Sequence, residues 1–524
     1  MSASISPAAT LPAVIDDIAD RTPDAPFLVT DETTWTYADV RDTADRLARS
    51  LHTIGVGPGD RVAIAAPNGP EWILALIATG RIGATLVALN IQYREHELDF
   101  MLNESGASVF ICASEHRGFD FVGFLEGFRS RLPGVKHFVF LGHNGFDGSR
   151  SWAHLLESAP STARQWEPVS TLATAVLLYT SGTTGAPKGA MLTHGSILAS
   201  ARAQAVHLEQ TADDAVIAHM PFNHVGGLTC TVIAAAVVGA RLIVVPGFHP
   251  QQSLQAIIDH RATLCVGVPT MFSLMLGEPA FADADLSAIR LCVVGGSNLD
   301  PALGRRVADA FPGARLANLY GLSETSGGAV ISAADDDLDT LVETLGVPIG
   351  DTRVRVVDDA GADVEDGVDG ELLVGGACLA DGYWQRPDAT ELAFGDDGWL
   401  RTGDMATLRA DGHVVMRGRK KEMYVRGGYN VYPAEIENVL ATAPGVVMVA
   451  VIGVPDATYG EVGWAIVVGD EELDLSRLHA RCREQLARYK QPERIVVVES
   501  LPLTPSGKIQ KAALQAMYGS TANS

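Results

Sequence analysis

Between residues 61 and 112 short apolar runs alternate with segments of helical spacing, and the same rhythm returns between 242 and 320. The runs 61–66, 85–89 and 108–112 read as buried strands, and 71–82 and 95–102 as helices. A helix over 37–54 precedes them, with Val40, Ala44, Leu47 and Leu51 on one face. In the second stretch the strands are 242–245, 263–268, 291–294 and 315–320. Helices lie over 251–260 and from a cap at Asp300 to residue 311. Strands that alternate with helices imply parallel sheets joined by crossover helices. In such sheets ligands bind beyond the carboxyl ends of the strands. Gly295-Gly296-Ser297 and Tyr320-Gly321 fall at two such ends.

The texture changes after about residue 346. Short strands at 354–357, 371–374 and 413–416, set between Asp/Gly turns, predict a small antiparallel unit. From Gly418 a mixed block follows, with helices at 434–440 and 476–486 and strands at 446–452, 464–468 and 494–498. The chain of 524 residues is too long for one core. The fold class is therefore α/β: a large N-terminal domain over 1–417 with parallel sheets and a β unit, then a small α+β domain over 418–524.

Charge limits the partners. Lys and Arg number 39 against 63 Asp and Glu, a formal charge of −24. Nucleic acid and anionic lipid both need a basic face, so neither is expected. The six cysteines form no CxxC pair and several sit in apolar runs, so they read as buried free thiols. The first residues, with Asp16 and Asp17 and no early Lys or Arg, lack the pattern of a secretory signal. The uncharged stretch 225–240 is too short to span a bilayer. A cytoplasmic protein without a transmembrane anchor is expected, and a homodimer is compatible with the sequence.

The strongest local motif is Tyr179-Thr180-Ser181-Gly182-Thr183-Thr184-Gly185-Ala186-Pro187-Lys188-Gly189. A buried strand feeds a loop of glycines and hydroxyls, and a helix is expected from about residue 196. Glycines let backbone N–H groups turn toward an anion, hydroxyls add donors, and Lys188 adds charge. The spacing is not the Walker pattern. Gly321-Leu322-Ser323-Glu324-Thr325 lacks the last glycine of a serine-hydrolase elbow, which excludes that chemistry as a strong reading.

The loop resembles the phosphate loop of the acyl-adenylate-forming superfamily, which includes acyl-CoA synthetases, firefly luciferase and the adenylation domains of peptide synthetases. Further motifs follow in that family's order. They are Asn318-Leu319-Tyr320-Gly321-Leu322-Ser323-Glu324-Thr325, Arg401-Thr402-Gly403-Asp404, Gly418-Arg419-Lys420-Lys421-Glu422-Met423 with Gly427-Gly428-Tyr429, and Pro505-Ser506-Gly507-Lys508. The resemblance covers nearly the whole chain. It implies an ATP-dependent acyl-CoA synthetase with ATP, Mg²⁺ and coenzyme A as cofactor and co-substrates, acting on a fatty or other apolar acid.

The resemblance also assigns roles. The loop residues Thr180 to Gly185 and Lys188 would bind ATP phosphates, with Gly295, Gly296, Ser297, Asn318 and Gly321 nearby. Tyr320 would stack on adenine, Ser323 would donate to the α-phosphate, and Glu324 would hold Mg²⁺ through oxygen. Asp404 would accept the ribose hydroxyls. Gly418 stands at the hinge of a mobile C-terminal domain, and Arg419 reaches the nucleotide. Lys508 would serve adenylation and then withdraw while Gly427, Gly428 and Tyr429 approach CoA. His224, Val225, Gly226, Val268 and Gly296 would line the acyl pocket, with His224 as gate or wall. The basic groups around 417–426 and 481–494 are candidates for CoA phosphates. Pro502 with Gly507-Lys508 resembles a site where lysine acetylation switches such enzymes off, which makes an acetyltransferase and a deacetylase candidate partners. Three other readings stand beside the synthetase: a stand-alone acyl-AMP ligase that loads a carrier protein, a luciferase-like oxygenase, and a catalytically inactive sensor.

Overall fold

Two large sheets share the N-terminal part of the computed structural model, which describes residues 9–142, 145–180, 187–297, 299–395, 397–427, 429–456, 458–504 and 509–519. In the first, Thr174–Thr180, Thr85–Leu89, Arg61–Ala65, Val109–Ala113 and His137–Leu141 lie side by side and parallel. In the second, Arg315–Leu322, Leu291–Gly295, Leu264–Gly267, Ala215–Ala218, Arg241–Val244 and Pro26–Val29 are parallel. Helices return the chain between strands. Tyr37–Thr53 starts at a reciprocal cap, with the Asp39 N–H donating to Thr36 Oγ1 at 3.1 Å and the Thr36 N–H to Asp39 Oδ2 at 2.9 Å. Pro70–Ile82 begins on proline, ends at Gly83, and is buried along nearly its whole length because it lies between the sheets.

The two sheets are stitched together at one point that matters for the site. Trp72 is buried on this helix and meets Phe222 edge-on at 5.9 Å. Burying such a ring stabilises by roughly 3 kcal/mol, and Trp72→Ala is expected to cost about 3–5 kcal/mol. Beside it the Asn68 amide donates to the Met220 carbonyl at 2.9 Å and accepts from the Phe222 N–H at 3.0 Å. The segment from Met220 to His224 is therefore held in shape from the first sheet.

The antiparallel unit is a sheet of Arg353–Val357, Asp369–Gly375, Trp399–Leu408 and Val414–Arg419. Its last strand runs through Gly418 to Arg419, and the next strand, Tyr424–Arg426, belongs to another sheet with Tyr429–Val431, Gly460–Gly469, Val446–Asp456 and Arg494–Val497. The helices Pro433–Ala441 and Leu475–Gln485 pack on that sheet around Ile436, Leu440, Leu478 and Cys482. The mixed α/β architecture is as the sequence predicts.

One expectation is corrected. The loop after Thr180 does not pass directly to a helix. A six-residue strand, Lys188–Thr193, comes first and pairs antiparallel with Thr174–Thr180, with Thr180 opposite Lys188. The helix begins at His194, capped by Thr193. The strands on either side of the motif are thus antiparallel partners, and the helix dipole is set back by the length of the second strand.

All six cysteines are buried and unpaired by disulfides. Burial pushes Cys230 and Cys265 up to about 12 and Cys482 up to about 11, so these thiols stay protonated. Among the described residues no helix is long and apolar enough to cross a membrane.

Candidate active site

The strand Arg315–Leu322 carries three of the expected residues, Asn318, Tyr320 and Gly321, and runs two residues beyond the predicted end. Its extension pairs antiparallel with Gly327–Ile331. The backbones approach so closely there that a Cβ on Gly321 would stand 2.0 Å from the Gly327 carbonyl oxygen, so only glycine fits. Ser323, Glu324 and Thr325 form one tight helical turn, closed by the Leu322 N–H donating to Thr325 Oγ1 at 2.8 Å. Asn318 is buried, and its amide donates to the Thr344 carbonyl at 2.8 Å.

Tyr320 and Asp404 meet directly. The Tyr320 hydroxyl donates to Asp404 Oδ2 at 2.7 Å, and the Arg419 Nε lies 3.0 Å from Asp404 Oδ1. Asp404 and Arg419 are cross-strand partners, which explains why they touch. The Asp404 carboxylate is only 2% exposed. Burial raises its pKa above the usual value, and Arg419 and the Tyr320 hydroxyl act against that shift. The same burial, with Asp404 adjacent, keeps the Tyr320 phenol protonated.

Glu324 and Lys188 come together around a residue that sequence reasoning missed. The Tyr383 hydroxyl donates to Glu324 Oε1 at 2.6 Å, and the Lys188 ammonium lies 5.2 Å from the centre of the same ring. Tyr383 arrives there because 381–384 pairs with the outer side of Lys188–Thr193. The Met191 N–H donates to the Gly382 carbonyl, the Asp381 N–H to Met191, and the Trp384 N–H to Gly189, at 2.8–2.9 Å. Glu104 secures the neighbourhood by accepting from the Tyr179 hydroxyl at 2.7 Å and pairing with Arg386 at 2.9 Å. The aromatic pair Tyr383-Trp384 after Gly382 was the only signal in the sequence.

A cavity of about 30 Å³ opens beside this strand, walled by His224, Val225, Gly226, Gly295, Gly296 and Gly321 together with Met220 and Cys230. His224 caps a short turn, and its Nδ1 accepts from the Gly226 N–H at 3.2 Å. The neighbouring strand contributes Val266 and Gly267 to the wall, while Val268 is the N-cap of helix Pro269–Leu276. Behind Gly267, the buried His219 bonds through Nε2 to the Val266 carbonyl at 2.9 Å, and burial lowers its pKa to about 4. The imidazole is neutral at physiological pH, and among the described residues no carboxylate, ammonium or guanidinium lines the cavity. Ser297 is exposed just past Gly296. A larger cavity of about 420 Å³, between 116–117 and 246–252, holds none of the motif residues.

In the C-terminal sheet the Gly427 N–H donates to the Tyr459 carbonyl at 2.8 Å, and Tyr429 is exposed and stacked on Tyr489 at 4.6 Å. Several of the basic candidates for CoA are already paired: Lys420 with Asp359 and Glu371, Arg426 with Glu493, and Lys490 with Glu435. These pairs lower the free positive charge that the sequence alone suggested. Ser181, Gly182, Thr183, Thr184, Gly185, Gly428 and Lys508 lie outside the described residues.

Comparison with known proteins fits this geometry. Residues 15–384 match the AMP-binding enzyme family, and residues 435–508 match the AMP-binding enzyme C-terminal domain. The chain is 35% identical, over 97% of its length and 98% of the other's, to the 3-[(3aS,4S,7aS)-7a-methyl-1,5-dioxo-octahydro-1H-inden-4-yl]propanoyl:CoA ligase of Mycobacterium tuberculosis. It is 34% identical, over 93% of each chain, to the long-chain-fatty-acid–CoA ligase FadD13 of the same species. The crystal structure of the anthranilate CoA ligase AuaEII in complex with anthranoyl-AMP superimposes with a TM-score of 0.91 at 26% identity, covering 100% of both chains. The chain therefore belongs to the family of AMP-binding enzymes, among the adenylate-forming acyl-CoA ligases.

Proposed function

We propose that this protein is an ATP-dependent acyl-CoA synthetase for a carboxylic acid whose acyl group is apolar and carries no further charge. In the first step the acid's carboxylate attacks the α-phosphate of ATP, and pyrophosphate leaves with the electron pair of the broken P–O bond. In the second the CoA sulfur attacks the acyl carbon, AMP leaves, and the thiol proton is released. The adenylate is itself the activated species, so no covalent enzyme intermediate is needed.

One observation carries the reading. A single strand end serves three needs: Leu319 and Gly321 face the acyl cavity, Tyr320 holds Asp404, and Glu324 follows within one turn. An acid, a ribose and a metal-bound phosphate would thereby be placed side by side. Asp404 would accept the ribose hydroxyls, Arg419 would face the nucleotide, and Lys188 would neutralise phosphate charge. The Glu324 carboxylate fits Mg²⁺, since it is a hard oxygen donor and Tyr383 holds one of its oxygens in place. When bound, the ion would offset charge on the phosphates and the leaving pyrophosphate.

The two halves of the chain, 1–417 and 418–524, would turn about Gly418 between the steps, bringing Lys508 for adenylation and Gly427 to Tyr429 for CoA. Purified protein with ATP, Mg²⁺ and a panel of short, aryl and fatty acids tests the reading. Acid-dependent pyrophosphate exchange together with AMP release that needs free CoA supports it. Exchange without CoA-dependent release, but with transfer to a carrier protein, would replace it by a carrier-loading ligase. No exchange with any acid would leave a nucleotide sensor.

A further inference from the structure

We propose that Tyr383 is a positioning residue for adenylation, holding Glu324 with its hydroxyl and seating Lys188 on its ring. The inference rests on the reading of Glu324 as metal ligand and Lys188 as phosphate contact.

The geometry shows two interactions from one side chain. The hydroxyl lies 2.6 Å from Glu324 Oε1, the length of a charge-assisted O–H···O⁻ bond. The Lys188 ammonium is 5.2 Å from the ring centre, within the range of cation–π attraction. Tyr383 is fixed in turn. Its N–H donates to Thr390 Oγ1 at 2.9 Å, its backbone bridges to Ala190, and Phe394 packs edge-on at 5.7 Å.

The arrangement solves a problem of opposite charges. Lys188 and Glu324 serve the same polyanion, one by direct contact and one through a cation. If they paired with each other, each would be withdrawn from the substrate. A tyrosine between them offers the carboxylate a neutral donor and the ammonium a neutral π face. Both groups are held in place by the tyrosine and not by each other. Held through Oε1 by the Tyr383 hydroxyl, the Glu324 carboxylate would keep its orientation toward a bound metal.

The test uses the full-length enzyme and pyrophosphate exchange, titrated separately with free Mg²⁺ and with ATP. Tyr383→Phe removes the hydroxyl and keeps the ring. It is expected to raise the half-saturating Mg²⁺ concentration about tenfold, as for loss of one hydrogen bond to a charged group, with the KM for ATP at saturating Mg²⁺ nearly unchanged. Phenylalanines of increasing fluorination at position 383 keep the size and weaken the ring face. They are expected to raise the KM for ATP progressively, by about 2–5-fold in all. A shape-filling tyrosine would move neither quantity selectively. Unchanged Mg²⁺ dependence in Tyr383→Phe, when Glu324→Gln alters it, would overturn the hydroxyl's role and leave Glu324 as ligand. Unchanged dependence in both would remove the metal reading itself. A KM for ATP that ignores fluorination would overturn the seating of Lys188.

Discussion

The Tyr320 hydroxyl and the Asp404 carboxylate, 84 residues apart in sequence, are joined by a buried hydrogen bond of 2.7 Å. The ring expected to meet adenine and the carboxylate expected to meet ribose are thus one unit, closed on its outer side by Arg419 at 3.0 Å.

This unit predicts a pH dependence. Asp404 accepts ribose hydroxyls best when ionised, and burial already raises its pKa from 3.8. Arg419 works in the opposite direction, so Arg419→Met removes a charge that favours the ionised form. The acid limb of the pH profile of adenylation kcat/KM for ATP is expected to move to higher pH in that variant. Tyr320→Phe should move it the same way and raise the KM for ATP roughly 10–100-fold, the effect of one hydrogen bond to a charged acceptor. An acid limb that stays in place in both variants would dissociate Asp404 from nucleotide binding.

Lys508 is expected to act in one half-reaction. Lys508→Ala should slow acyl-AMP formation by roughly 10²–10³, as for loss of one transition-state donor, and leave CoA attack on preformed acyl-AMP nearly intact. Single-turnover timing of each step checks this. Equal loss in both steps, with the protein folded, would make Lys508 a general binding or structural residue.

Gly418 has φ +148, and a Cβ there would lie 3.3 Å from that of Tyr432. A proline fixes φ near −65°, so Gly418→Pro does not stiffen the observed arrangement but excludes it. The proposed mechanism takes this arrangement, in which Arg419 pairs with Asp404 across the sheet, as the adenylating one. Gly418→Pro is therefore expected to slow adenylation at least tenfold and thioester formation from supplied acyl-AMP less. The reverse ranking in single-turnover assays would assign the observed pose to the second step.

Met220 lines the proposed acyl cavity, whose volume is about 30 Å³, and a Cβ on Gly226 would come within 2.5 Å of its Cε. Met220→Ala is expected to shift preference toward acids larger by two or three carbons, by about tenfold in relative kcat/KM. An unaltered ranking across a graded series of acids would place the acyl group elsewhere.

The parallel sheets were legible because runs such as Val62 to Ala65 and Leu291 to Val294 are apolar on both faces and are separated by segments of helical period. The strand Lys188–Thr193 was not, since Lys-Gly-Ala-Met-Leu-Thr has weak strand propensity and is held by pairing on both sides. Asp404 with its companions Tyr320 and Arg419, and Glu324, were legible by motif, but Tyr383 was not. Tyr383 lies 59 residues from Glu324, and only the folded chain brings them together. The ion pairs of the basic cluster at 417–426 were hidden for a related reason: its partners Asp359, Glu371 and Glu493 are distant in sequence.

The pairing of 381–384 along Lys188–Thr193 has a bearing on colloidal behaviour. Without it the first large sheet would end in an open strand with a row of unpaired amides, a template for another chain. The segment therefore shields a sticky edge as well as delivering a side chain. Deletions or proteolytic nicks between Ala380 and Arg386 should thus produce intermolecular β-aggregates rather than soluble, inactive monomers, and the aggregates should grow faster as protein concentration rises.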